Sequence, residues 1–286
     1  MSIQIKNLQH IYNEGTPFES VALKNINLEI KENECIAIIG STGSGKSTFI
    51  QHLNGLLKGT NKDCDIIVYG TSIYKDKLSL REIRRKVGLV FQYPEHQLFE
   101  TTVFNDVAFG PKNIGLSDED IEENVLNALK IVNLPEEFYQ KSPFELSGGQ
   151  KRKVAIAGVL AMKPQVLILD EPVAGLDPKS KRELFSTIKE MKKTLNITII
   201  LVSHSMDDVS EFADKILVLD KGEIVMFDET KKVFSQGDKL KEIGLDIPET
   251  TKLLCVLKEK GFDLDEEIFD IDLTVEEIYN KVIKEK

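Results

Sequence analysis

The run Gly40-Ser-Thr-Gly-Ser-Gly-Lys46-Ser47 follows directly on the apolar residues 35–39 and leads straight into the helix-forming residues 48–57. A strand, a glycine-rich loop and a helix in that order is the setting that a phosphate-binding loop requires, and it fixes a β-loop-α unit at this point of the chain. Glycines let the backbone curl so that consecutive N–H groups point inward, and the first turn of the following helix adds its positive end. Lys46 then reaches the outer phosphates of a nucleoside triphosphate, and the Ser47 hydroxyl can ligate Mg²⁺. ATP or GTP is therefore expected on Gly40, Ser41, Thr42, Gly43, Ser44, Gly45, Lys46, Ser47 and Thr48.

A chain of 286 residues can bury a substantial core, as one large domain or as one large and one small. Its formal net charge of −10 gives no global pull towards nucleic acid or anionic lipid, so nucleic acid is not an expected partner. The N-terminal residues 1–10 alternate polar and apolar like a strand and lack the layout of a signal peptide. No apolar run approaches the ~20 residues that cross a bilayer. Cys35, Cys64 and Cys255 are far apart, with no C-x-x-C pair and no histidine cluster nearby. A soluble, reduced cytoplasmic protein without structural zinc or disulfides is expected.

Residues 2–8, 21–30 and 66–69 have strand character, interrupted by the turn-like Asn13-Glu14-Gly15-Thr16-Pro17, and predict an antiparallel subdomain beside the phosphate loop. Over residues 117–132 the spacing of Ile121, Val125, Leu126, Leu129 and Val132 is helical, and Ser117 with Asp120 makes a capping-box-like start. Strands at 166–169, 198–202 and 216–219 alternate with helices at 179–194 and 206–213, the rhythm of a mostly parallel sheet. Beyond about residue 228 the composition shifts. Short helical patterns separated by Gly237, Gly244, Pro248 and Gly261 predict a small helical appendage in which Leu253, Leu254, Leu257, Val275, Ile278 and Val282 pack; a mobile tail is the alternative.

Two further motifs carry chemistry. Val166-Leu-Ile-Leu-Asp170-Glu171 reads as a buried strand with two carboxylates at its C-terminal end, where ligands bind in parallel α/β sheets. Asp170 is then the expected Mg²⁺ partner through water, and Glu171 the expected general base for an attacking water. Leu146-Ser147-Gly148-Gly149-Gln150 places a good N-cap and exposed backbone N–H groups at a helix start, which makes a second anion-binding site that one phosphate loop does not need.

With LSGGQ in place the chain resembles the ABC ATPases over about residues 1–228. The family's other motifs follow in order: Tyr12 upstream of the loop, Gln92 after the apolar residues 88–91, Ala174-Gly175-Leu176-Asp177 after the acidic pair, and His204 after the strand at 199–202. The resemblance implies an α/β P-loop ABC ATPase with an antiparallel β subdomain and a helical subdomain at about 93–163; the C-terminal helical appendage at 229–286, read from the shift in composition, is expected to serve dimerisation. It implies a head-to-tail sandwich in which the phosphate loop of one subunit and the signature of its partner close on one ATP. Tyr12 would stack on adenine, Ser147, Gly148, Gly149 and Gln150 would act in trans, and Gln92 would sense Mg²⁺ and γ-phosphate. Asp177 would couple the two sites, and His204 would steady the γ-phosphate and water. His10, His52 and His96 receive no role in hydrolysis.

No heptad coiled coil divides the cassette and only one cassette is present, which favours a transport subunit over DNA-repair, chromosome-organising or translation-factor relatives. The runs Pro94-Glu-His-Gln-Leu-Phe-Glu100 and Ala108-Phe-Gly-Pro-Lys-Asn113 resemble the second of the two non-identical ATPase subunits of energy-coupling factor transporters, importers of vitamins or transition metals. One departure is Val173, where a Thr is usual. The partners so implied are a second homologous ATPase, an integral-membrane scaffold and a membrane substrate-binding component, with the chain on the cytoplasmic face of the membrane. Tyr93, Phe99 and Phe104 could floor a docking groove, with Glu95 and Glu100 meeting a basic helix. The subunit of a conventional importer, or a soluble assembly ATPase, are the alternative readings.

Overall fold

The computed structural model describes residues 3–74 and 79–283. Its centre is a six-stranded sheet in the order β10-β9-β3-β8-β7-β6. These strands are β3 (Cys35–Ile39), β6 (Val87–Val90), β7 (Val166–Asp170), β8 (Thr198–Val202), β9 (Lys215–Asp220) and β10 (Glu223–Glu229). All neighbours pair in parallel except β10, which lies antiparallel on β9. Every residue of β3, β6, β7 and β8 is buried, which is why their sequences are continuous apolar runs: helices cover one face and a second sheet the other.

That second sheet is antiparallel, in the order β2-β1-β4-β5, from β1 (Ile3–Tyr12), β2 (Ser20–Ile30), β4 (Asp65–Val68) and β5 (Thr71–Ser72). Its inward residues Ile3, Ile5, Leu8, Leu23 and Ile66 share one core with Phe49, Ile50 and Leu53 of α1 (Lys46–Leu53), so the helix after the phosphate loop is clamped between the two sheets. On the other side, α3 (Val103–Ile114), α4 (Asp118–Ile131) and α5 (Gly148–Leu160) form a helical layer whose core is continuous with β7 and α6 (Pro178–Leu195).

The sequence expectations hold for the main strands, with β1 longer than residues 2–8 and Ser2 outside the described residues. The expected capping box at Ser117 is half formed. The Ser117 hydroxyl accepts from the Asp120 N–H, but the short Asp120 carboxylate reaches only that hydroxyl, at 2.7 Å. Four elements escape the sequence pattern: β5, α2 (Ser79–Lys86), α3 and β10. The turn into β10 has both central residues left-handed, Lys221 at φ 47° and Gly222 at φ 82°, the type I′ geometry that matches strand twist.

Beyond β10 come α7's companions in the C-terminal segment. α7 (Met206–Phe212) packs on β3 and β9 together with α8 (Thr230–Phe234) and α9 (Gly237–Glu242), and α10 (Glu249–Glu259) and α11 (Ile271–Ile278) follow. The expected apolar stripe is only partly internal. Leu254 is fully buried and Leu257, Ile278 and Val282 are half-buried, but Leu253 and Val275 face outward, joined on the surface by Val256, Ile271, Leu273 and Tyr279. Short helices broken at Gly244 and Gly261 cannot turn one continuous stripe inward.

A buried histidine gives this fold a testable pH dependence. His52 of α1 is wholly enclosed, 2.7 Å from the Tyr74 hydroxyl and edge-on to His10. Burial, with a smaller contribution from His10, pushes its pKa down to about 3. In the unfolded chain the imidazole takes its proton near pH 6.5. Between pH 6.5 and about 3 the unfolded state therefore binds more protons, and stability present above that window is lost as pH falls, by up to ~1.4 kcal/mol per pH unit. The thermal midpoint of the wild type should fall more steeply from pH 7 to pH 5 than that of His52→Gln; equal slopes would remove the assignment.

Candidate active site

The phosphate loop joins β3 to α1, and Gly45 makes the joint. It is left-handed at φ 104°, and a Cβ there would lie 2.5 Å from the Ala22 carbonyl oxygen of β2, so no side chain fits. Lys46 is buried, and its ammonium donates to the carbonyls of Gly40 (2.8 Å) and Ser41 (3.0 Å). Ser44 is enclosed behind the loop.

β7 delivers the two carboxylates. Asp170, at its last position, is 9% exposed, and burial followed by the neighbouring Glu171 raises its pKa to about 6. Glu171 leaves the strand in the left-handed conformation, φ 49°, with its N–H donating to the Val202 carbonyl of β8. Burial raises its pKa too, opposed by Lys46. Its Oε1 stands 2.9 Å from His204 Nε2, just beyond β8. Burial and then Lys46 lower the His204 pKa, which keeps the imidazole neutral near pH 7.

These groups line one cleft of about 360 Å³, with Tyr12, Thr42, Gly43, Ser47, Thr48 and Gln92 on its walls. Tyr12 stands at its edge, ring half-exposed, hydroxyl 3.2 Å from Thr48 Oγ1 and ring edge-on to His10. Ser20, Val21 and Ala22 of β2 also line the cleft. No motif marks them; only the pairing of the second sheet over the loop brings them there. A larger cavity of about 770 Å³ opens at the amino-terminal ends of β7 and β8, beside Asn124, Ile131 and Ile197. It holds none of the acidic or phosphate-loop groups, so the chemistry belongs to the smaller cleft.

The donor set in the cleft fits Mg²⁺. The neighbouring Glu171 adds to the cost of ionising the buried Asp170, a deficit a cation relieves, and Ser47 and Asp170 offer hard oxygen ligands beside a phosphate loop.

The signature residues are not in this cleft. Ser147, Gly149 and Gln150 line a separate depression of about 260 Å³ with Asp177, Lys179 and Ser180, and Gly148 opens α5 beside them. Ser147 and Gln150 form a full capping box: the serine hydroxyl accepts from the Gln150 N–H and the Gln150 side chain accepts from the Ser147 N–H. Asp177 caps α6, accepting from the N–H groups of Lys179 and Ser180 and from the Ser180 hydroxyl, bonds that hold its carboxyl below the usual range.

The segment after Gln92 departs from expectation in two places. Phe104 is partly buried against the helical core rather than flooring a groove. Glu95 does not face outward for a basic helix: both its oxygens bind the buried Arg152 of α5. Tyr93 and Phe99 are exposed as expected, and Phe109 joins them, edge-on to Phe99 at 4.9 Å.

Comparison with known proteins agrees with this geometry. Residues 23–174 match the ABC transporter family. The chain is 55% identical over 279 residues to the energy-coupling factor transporter ATP-binding protein EcfA2 of Clostridium tetani, covering 97% of this chain and 96% of that protein. Among solved structures, cbiO1 from Clostridium perfringens, part of the ABC transporter complex cbiONQ, superimposes with a TM-score of 0.73 at 39% identity, covering 84% of this chain and 93% of that one. The ATP-binding cassette MJ0796, a dimer in a post-hydrolysis state bound to ADP and Pi, superimposes with a TM-score of 0.70 at 31% identity, covering 80% and 98%. The chain belongs to the ABC transporter family, among the ATP-binding proteins of energy-coupling factor transporters, and it is an ATPase that uses Mg²⁺.

Proposed function

We propose that this ATPase powers import of a vitamin or transition-metal micronutrient, at the cytoplasmic face of the membrane, as one of two homologous but non-identical ATPase subunits on an integral-membrane scaffold with a separate substrate-binding component. The observation that carries the reading is the separation of two anion sites on one chain: the phosphate loop and the signature line different depressions, so each needs a second ATPase to complete it. The dimeric relative with ADP and Pi supports such pairing. The C-terminal segment, with outward Leu253, Val256, Ile271, Leu273 and Val275, would add a nucleotide-independent contact between the two ATPases.

In this reading Gly43, Gly45 and Lys46 hold the phosphates and Tyr12 offers its exposed ring to adenine. Ser47, Gln92 and, through water, Asp170 would hold Mg²⁺, which would neutralise phosphate charge. Glu171 accepts the proton of the attacking water, and His204, whose Nε2 lies 2.9 Å from that carboxylate, orients it; the single N–H of the neutral ring serves either Glu171 or, once nucleotide is bound, the γ-phosphate. Ser147, Gly148 and Gly149 act on the partner's nucleotide, and Asp177 stands at the mutual face. Tyr93, Phe99 and Phe109 form the aromatic platform on which a scaffold helix docks.

No helix of the described residues is long and apolar enough to cross a membrane, so a transport role requires membrane partners. Affinity purification in mild detergent should recover this chain with a related ATPase and integral membrane proteins in fixed stoichiometry. Recovery of soluble proteins alone would overturn the proposal in favour of an assembly ATPase.

A further inference from the structure

The triplet Lys151-Arg152-Lys153 sends its middle cation into the protein. Arg152 is 1% exposed, and all of its guanidinium nitrogens are engaged by two other segments. Nε and Nη2 bind the Glu95 carboxylate at 2.9 to 3.2 Å, and Nη1 donates to the carbonyls of Pro172 and Ala174, both at 2.8 Å. A buried guanidinium satisfied on every side is rigid, because any displaced donor would be left desolvated without a partner.

The three segments it ties are functionally placed. Arg152 lies two residues after the signature residue Gln150, on the same helix. Glu95 lies in the 3₁₀ turn Pro94–Gln97, three residues after Gln92. Pro172 directly follows Glu171 and Ala174 stands three residues after it, and the left-handed backbone of Glu171 persists only where its surroundings over-determine it. The Ala174 N–H in turn bonds the Glu171 carbonyl at 3.1 Å, so the turn fastened by Arg152 closes back on the proposed base.

We propose that Arg152 is a positioning residue for ATP hydrolysis: its guanidinium locks the turn after Glu171 to the signature helix and to the segment after Gln92, fixing the carboxylate without touching nucleotide. The inference rests on Glu171 being the base. A displacement of about 1 Å at such a group costs about 10²-fold in rate. Lysine can substitute only in part, since a single ammonium keeps the charge but cannot hold a bidentate carboxylate and two carbonyls together.

The test uses the complex assembled with its membrane partners. Arg152→Gln should lower kcat by roughly 10- to 100-fold, while the Kd for ATP, measured by equilibrium binding, changes by less than about threefold. Arg152→Lys should fall between Gln and wild type. In a Glu171→Gln background, measured by single turnover, Arg152→Gln should add almost nothing, because the group it positions is gone. Should Arg152→Gln fail to fold, Glu95→Gln, which leaves the two carbonyl bonds in place, should lower kcat by several-fold with Kd again unchanged. Wild-type kcat in folded Arg152→Gln, a parallel loss of ATP affinity, or the same factor lost in both backgrounds would overturn the proposal. Wild-type turnover in Glu171→Gln alone would instead remove the base assignment, an outcome read from a different variant.

Discussion

Glu171→Gln is expected to bind ATP with near wild-type affinity and to lose about 10²- to 10⁴-fold in turnover, the range for a lost general base and equivalent to about 3 to 5 kcal/mol of transition-state stabilisation. The geometry explains why the two effects separate. The carboxylate sits just beyond the end of β7 with only 17% of its side chain exposed and pairs with His204, whereas Lys46 is held by the loop carbonyls of Gly40 and Ser41. Glutamine preserves length and hydrogen-bonding shape and adopts the left-handed backbone of residue 171 no less readily than glutamate. It also removes a negative charge that repels Asp170, so a nucleotide-bound closed pair should accumulate. The measurement is steady-state hydrolysis by the assembled complex beside equilibrium ATP binding. Hydrolysis within threefold of wild type would transfer the role of base to another group.

Legibility followed how local each feature is. The phosphate loop could be read because glycine, lysine and serine spacing within eight residues specifies its geometry, and the strand and helix around it are apolar runs of the right lengths. Asp170 and Glu171 were legible for a similar reason: a strand buried on both faces writes itself as unbroken Val, Leu and Ile. Long-range pairing was not. Glu95 and Arg152 lie 57 residues apart, and nothing in either neighbourhood says that one cation of three turns inward; successive residues on α5 point about 100° apart, so only the packing of that helix selects Arg152. Strand β10 carries acidic residues at both ends and lies at a sheet edge, where alternation is weak, and α3 is masked by Gly110 and Pro111 near its end. The C-terminal stripe is legible as helical, but periodicity identifies an apolar face and not what covers it.

Lys46→Ala should fail at an earlier step than Glu171→Gln. Among the described residues that line the cleft the ammonium is the one lysine or arginine cation, and its contact with phosphate is a charge-assisted hydrogen bond of about 1.5 to 3 kcal/mol, so ATP affinity should fall by about 10- to 100-fold. Turnover should fall further, by an additional 10²- to 10³-fold, because charge that develops on the transferred phosphoryl group loses a fixed donor inside the site. Two local effects act in the same direction. Without Lys46 the Gly40 and Ser41 carbonyls lose the donor that gathers the loop. Asp170 and Glu171 lose the positive charge that opposes their raised pKa values, so both carboxyls hold their protons to higher pH and offer less negative charge for Mg²⁺. Lys46→Arg should restore little, since the larger planar group must enter a position where lysine is already 7% exposed. Isothermal titration with ATP and hydrolysis by the assembled complex read both quantities, and undiminished affinity together with undiminished turnover in Lys46→Ala would place nucleotide elsewhere on the chain.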